Sequence, residues 1–271
     1  MSSTLTIPGN QHVKLDKHSS GLLDDTEWAL INNGLAKYYS HIVALYDSHR
    51  ANSYVVEFGR LAIQFLTPTD TTIKAEMLTR LFAATLATSQ FELAHTTLLS
   101  LPSSALRHSS LRKLVDKMCE TRHHNDLVSL PFPSMQQDVD AFLEQRCRES
   151  TIDGAQYHQV LYAWRIKRRN FRGAAWVLLD RIQKLKQAGE GDRMVGDDVL
   201  DTPVTRQYLL LINALSCVEG KQAWIFDETE SKRRVVSLAD VRKEYQDELD
   251  RIAAIQNGQF GFEAGDVMEL V

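Results

Sequence analysis

At 271 residues the chain is long enough to bury a sizeable core, in one long domain or two compact ones. Hydrophobic residues make up 44% and charged residues 24%, and a formal charge of −4 argues against a generalised basic surface for nucleic acid or anionic membrane. Three cysteines, Cys119, Cys147 and Cys217, odd in number and far apart, do not form a disulfide framework, and no apolar run approaches the length that spans a bilayer.

Residues 1–24 hold Pro8, Gly9 and many Ser, Thr, His and Asn residues, without the apolar stretch of a secretory signal. They read as a disordered leader. Helical periodicity starts at Trp28 and continues through Ile31, Leu35, Tyr38, Ile42 and Leu45, in steps of three and four that keep these side chains on one stripe. A second helix starts near Ser53 with Val55, Phe58, Ala62 and Phe65 inward and stops before Pro68. A third runs from about Asp70 through Ile73, Met77, Leu81 and Leu86, and a fourth from Phe91 to Pro102.

Leu111, Leu114, Val115 and Met118 mark the next helix. A short one at 125–130 is closed by Pro131 and Pro133, because proline removes a donor and restricts its predecessor. Val139, Phe142 and Leu143 define another, ending near Ser150. Asp153 is placed to cap the helix that presents Tyr157, Val160, Leu161 and Trp164, and Phe171 opens the one after it. Residues 189–201, rich in Gly and Asp, read as a flexible loop. Pro203 suits a first helical turn, with Tyr208, Leu211, Ile212 and Leu215 inward. Alternating apolar residues on either side of a charged turn read as a small hairpin near 223–236. A last helix carries Leu238, Val241, Tyr245, Leu249 and Ile252 and ends at Asn257-Gly258, before a loose tail over 258–271.

Two of these helices repeat one pattern at equal offsets, Phe91-x-x-Ala94-x-x-x-Leu98-Leu99 and Phe171-x-x-Ala174-x-x-x-Leu178-Leu179. The alanine lets a neighbouring helix approach closely, and the leucines, one turn further along the same face, fill the seam. Helix pairs joined by short polar breaks predict an all-α fold, an irregular α-solenoid of stacked helix pairs over 25–257.

The stretch Tyr157-His-Gln-Val-Leu-Tyr-Ala-Trp-Arg-Ile-Lys-Arg-Arg-Asn-Phe-Arg-Gly-Ala-Ala175 resembles a signature of the large propeller-plus-solenoid scaffold nucleoporins, the one-twenty/one-sixty type of the Y-shaped outer-ring complex. Tyr38-Tyr39 with Tyr54 to Ala62, Leu127 to Phe132, and Tyr208 to Ile225 are similar as well, and Ser237 to Arg251 looks most like fungal members. The resemblance covers about 25–262. It implies a middle portion of the solenoid, since nothing reads as repeated propeller blades. It further implies a non-catalytic scaffold at the nuclear pore that binds other outer-ring nucleoporins, with no cofactor, no small-molecule substrate and no membrane insertion. A helical adaptor of a vesicle coat or proteasome lid is the alternative, and a helical enzyme with a hidden pocket a third.

The candidate partner interface is Arg165, Arg168, Arg169, Arg172 and Trp176. Arg165, Arg168 and Arg169, at i, i+3 and i+4, are expected to form one exposed ridge at a helix end, serving an acidic partner or simply a solvated face that complements the helix dipole. Nucleic acid is disfavoured, because no exposed aromatics interleave with the basic residues. Trp164 falls on the apolar stripe, whereas Trp176 lies off it and either packs on the next repeat or faces a partner. Cys119 and His123 stand at i and i+4 with His124 adjoining, but zinc needs three or four ligands and no second pair follows, so no metal site is assigned. The loop at 189–198 lacks the Lys-Ser/Thr ending of a P-loop and the closing Glu of an EF-hand. No residue makes a case for catalysis.

Overall fold

The computed structural model of the protein describes residues 3–7, 11–15, 34–67, 69–150, 156–190, 200–227 and 234–257. Packing divides the chain into two units, Met1–Pro133 and Ser134–Val271. Among the described residues, no helix is long and apolar enough to cross a membrane.

The first unit begins with two antiparallel strands, β1 (Ser3–Ile7) and β2 (Gln11–Leu15), in a register that sets Leu5 opposite Val13. This pair lies inside the segment read from sequence as a disordered leader. The β-branched residues Thr4, Thr6, Ile7 and Val13 around a Pro-Gly dipeptide are the hairpin signal that the polar composition hid.

Helices α1 (Leu35–Ser48), α2 (Asn52–Phe65), α3 (Thr71–Ala87), α4 (Phe91–Leu99), α5 (Ser104–Glu120) and α6 (His124–Ser129) follow, each packed on the next. Their core includes Val43, Val55, Val56, Ala62, Met77 and Leu81. Leu45 is 51% exposed, outside the inward stripe expected for it. Trp28 and Ile31, the expected start of that first helix, lie outside the described residues.

The second unit holds α7 (Gln136–Glu149), α8 (Tyr157–Lys167), α9 (Phe171–Gln187) and α10 (Pro203–Ser216), then strands β3 (Trp224–Asp227) and β4 (Arg234–Ser237), then α11 (Leu238–Gln256). Successive helices again pack on one another, β3 lies on α9, and β4 leads into α11. The expected hairpin is present, with Ile225 opposite Val236. Both are buried against Leu178, Leu179, Ile182, Leu211 and Val241, so the hairpin closes the α9–α10–α11 core. Ser237 and Thr202 open their helices with reciprocal capping boxes. Asp153, the glycine-rich loop at 191–199 and the tail at 258–271 lie outside the described residues.

One turn joins α1 to α2, α3 to α4, α5 to α6 and α8 to α9. In each, a residue other than glycine takes the left-handed conformation: Arg50, Ser89, Arg122 and Arg169, at φ 56°, 56°, 60° and 59°. The amide of the next residue reaches back to the helix, as from Asn170 to Arg165 O and from Gln90 to Thr85 O, both at 2.9 Å. These are Schellman closures, and the following helix starts at once. Phe91 and Phe171 are thus each the first residue after such a turn. Ala94, Ala174 and Leu98 are fully buried, and Leu178 nearly so, as the repeated pattern requires. The protein is an all-α solenoid of stacked helix pairs.

Candidate partner interface

The basic cluster sits at the corner between α8 and α9. Ile166 O and Arg165 O close the end of α8, Arg169 takes the left-handed position, and the Asn170 side chain caps α9 by accepting from Gly173 N at 2.9 Å. A side chain at Gly173 would collide with Asn170 at 2.5 Å, so a residue without Cβ stands there.

Arg165 departs from the sequence expectation. It is 5% exposed, not part of a ridge. Its Nε donates to Asp140 Oδ1 at 2.9 Å, and its Nη2 donates to Asp140 Oδ2 at 2.6 Å and Glu144 Oε2 at 2.5 Å. Its Nη1 donates to Gly173 O at 3.1 Å. One guanidinium therefore joins α7, α8 and the first turn of α9, and its planar fork is what permits this. Burial works against its charge, but the Asp140 and Glu144 hydrogen bonds prevail and raise its pKa.

Arg168 is half-buried, with its guanidinium 3.1 Å from the centre of the Trp164 ring and Nη1 donating to Trp164 O at 3.2 Å. Its Nε is buried without a hydrogen-bond partner, and burial lowers its pKa. Arg169 is exposed. Arg172 is half-buried, 3.6 Å from the centre of the Trp224 ring. Trp176 is half-buried between the guanidiniums of Arg148 and Arg165, at 5.4 and 5.7 Å. Of the expected ridge, Arg169 is exposed and Arg168 is half-buried against Trp164, and Arg172, half-buried on Trp224, lies beside them.

A cavity of about 500 Å³ opens beside Arg165 and Arg168 and is walled by Gln136, Asp140 and Glu144 of α7. A second depression shares Arg148 and Arg165 with it and continues past Trp176 to Phe226 on β3. Asp140, Glu144 and Phe226 were not singled out from sequence, whereas Trp224, like the other tryptophans, reads there as a possible interface anchor. The i, i+4 carboxylates on α7 are a usable signal once α7 and α8 are paired, and Phe226 is not.

The other groups weighed from sequence have structural roles. Cys119 and Cys147 are buried, and burial foremost pushes both thiols up to about 12. His124 Nε2 meets Cys119 O at 3.3 Å, and His123 packs its ring on Phe91 at 4.7 Å. Among the described residues, no group of three or more His, Cys, Asp or Glu side chains is placed to hold a metal. Trp164 is buried, as its place on the stripe predicts.

Helix pairs packed one on the next define an α-solenoid. Residues 2–120 match the family described as "Nucleoporin Nup120, HEAT repeats". "Nucleoporin NUP120" of Chaetomium thermophilum is 40% identical over 96% of this chain and 28% of that protein. "Nucleoporin nup120" of Schizosaccharomyces pombe is 25% identical over 71% of the chain and 17% of its own length. "Nuclear pore complex protein Nup160" of Homo sapiens is 25% identical over 75% of the chain and 14% of its own length. The chain is homologous to the Nup120/Nup160-type nucleoporins, and it spans less than a third of these relatives' length.

Proposed function

We propose that the chain is a non-catalytic scaffold segment of the nuclear pore outer ring, located at the nuclear envelope, and that it supports nucleocytoplasmic transport by binding other outer-ring nucleoporins through helical surfaces. The observation that carries this reading is the 40% identity to a fungal NUP120 along nearly the whole chain. The fold supports it: helix pairs stacked through buried Ala and Leu seams present ridges to neighbours and need no bound group for that task. A non-catalytic role is supported by Cys119 and Cys147, whose buried thiols stay protonated at neutral pH and so are poor nucleophiles. The binding surface assigned is Arg168, Arg169, Arg172 and Trp176, with Arg165 holding it together from beneath.

Fluorescent tagging of the full-length protein at its own locus, with affinity purification from the same cells, tests the reading. Fluorescence at the nuclear rim and recovery of outer-ring nucleoporins are expected. Recovery of vesicle-coat or proteasome-lid subunits, with no rim signal, would replace it with the adaptor reading.

A further inference from the structure

The α8–α9 corner has more cationic charge than the fold uses. Asp140 and Glu144 are both engaged by the buried Arg165, and Glu144 also pairs with Arg148 at 2.8 Å. Arg168, Arg169 and Arg172, within five residues of one another, have no carboxylate partner among the described residues. Three guanidiniums so close together repel one another, offset at Arg168 by the nearby Asp140. The buried, unpartnered Nε of Arg168 shows that the chain leaves part of this donor set unsatisfied.

An apolar strip borders these charges. Trp176 is half-buried, and Phe226 on β3 is 42% exposed. Val235, directly opposite Phe226 in the hairpin register, is 53% exposed. The Trp224 ring stands edge-on to Phe226 at 4.9 Å. Trp176, Phe226 and Arg172 line one depression of about 340 Å³. Large apolar residues beside unpaired arginines are the composition of a binding hot spot.

We propose that this corner docks an acidic segment of another protein, whose carboxylates pair with Arg168, Arg169 and Arg172 while an apolar side chain seats between Trp176 and Phe226. The proposal deepens the scaffold reading, since the partner is then a neighbouring subunit. Protein fits better than RNA. Guanidiniums already cover faces of Trp164, Trp176 and Trp224 on which bases would stack.

The test is site-specific photo-crosslinking in the cells the protein comes from, with the full-length protein carrying a benzophenone amino acid in place of Phe226. Adducts are digested and the attached peptide sequenced. The expected adduct is a peptide of a different protein in which Asp and Glu outnumber Lys and Arg around the crosslinked residue. Arg169→Glu combined with Arg172→Glu is expected to lower its yield about tenfold. Because Arg172 also packs on Trp224, Arg169→Glu alone serves as a second variant whose exposed side chain leaves the fold intact, and about a threefold loss is expected. A neutral or basic peptide, a nucleotide adduct, a second copy or another segment of this chain, no adduct, or a yield unchanged by both variants would each overturn the proposal. Rim fluorescence of the same strain separates the two readings. An acidic adduct without rim signal refutes the pore assignment alone, and rim signal without an acidic adduct refutes the docking site alone.

Discussion

Arg165 and Asp140 meet through two parallel hydrogen bonds, Nε to Oδ1 at 2.9 Å and Nη2 to Oδ2 at 2.6 Å, across 25 positions of sequence. The pair ties α7 to α8, and Glu144 and Gly173 O complete the set around the same guanidinium. Because the cation is buried and both carboxylates are about a third exposed, losing the arginine removes the link without fully stranding the acids.

Arg165→Met is therefore expected to destabilise the fold by about 3 kcal/mol, at the lower end for breaking a buried pair. Arg165→Lys should recover only part of this, since an ammonium lacks the fork that reaches Asp140, Glu144 and Gly173 O together. Urea denaturation of the three proteins checks both statements, and a double-mutant cycle with Asp140→Asn isolates the pair.

Leu178 and Leu98 hold equivalent places in the repeated pattern and are 3% and 0% exposed. Leu98→Ala should cost about 3 kcal/mol through lost contacts and a cavity. Leu178→Asp buries an unpaired carboxylate and should cost more than about 4 kcal/mol. Circular dichroism melts would show an unfolded or strongly lowered transition for the latter. A wild-type melt would contradict the repeat packing.

Stability should fall in acid. Asp180, half-buried beside His158 at 2.7 Å and Lys184 at 3.3 Å, is opposed in its charge by burial, but these partners prevail and hold its pKa below the ordinary 3.8. Glu248, between Lys186 and Arg251, is likewise held below 4.5 against the effect of burial. A carboxylate depressed in the folded state stabilises fully above its unfolded pKa, and that contribution disappears as pH drops through the folded one. Unfolding free energy measured from pH 6 down to about pH 3 should show the loss beginning near 4.5. Asp180→Asn and Glu248→Gln should flatten that slope.

The thiols should divide sharply. Cys119 and Cys147 are buried, with pKa values pushed to about 12, whereas Cys217 is exposed. Ellman's reagent should titrate one of the three thiols in the native protein and all three in guanidinium.

Arg169 stands at φ 59°, where a Cβ is strained by about 1 kcal/mol. Arg169→Gly relieves that strain and adds freedom to the unfolded chain, so stability should hold or rise by about 0.5 kcal/mol. The same substitution should weaken docking at the corner. A clear loss of stability would show that this arginine supports the turn.

Helix positions were legible because their signals are local. Phe91 and Phe171 open helices as their patterns require, and Pro203 sits at a first helical position behind the Thr202 cap. The burial of Arg165 was not legible, since its partners lie on α7 and nothing within Arg165–Arg172 tells which helix packs there. The basic run therefore read as a uniformly exposed ridge. The left-handed turns were hidden for another reason: Arg50, Ser89, Arg122 and Arg169 occupy positions where glycine is the usual marker. The strands at Ser3–Ile7 and Gln11–Leu15 were hidden by a polar composition that equally suits a disordered leader.

Those four turns have no slack. The amide that closes one helix belongs to the residue immediately before the next, so a single inserted residue would break the closure or rotate the second helix off its seam. Length can change cheaply only between hairpins, where loop entropy grows slowly. A lineage gaining residues on this scaffold can therefore lengthen its connectors and leave each hairpin a unit of fixed size.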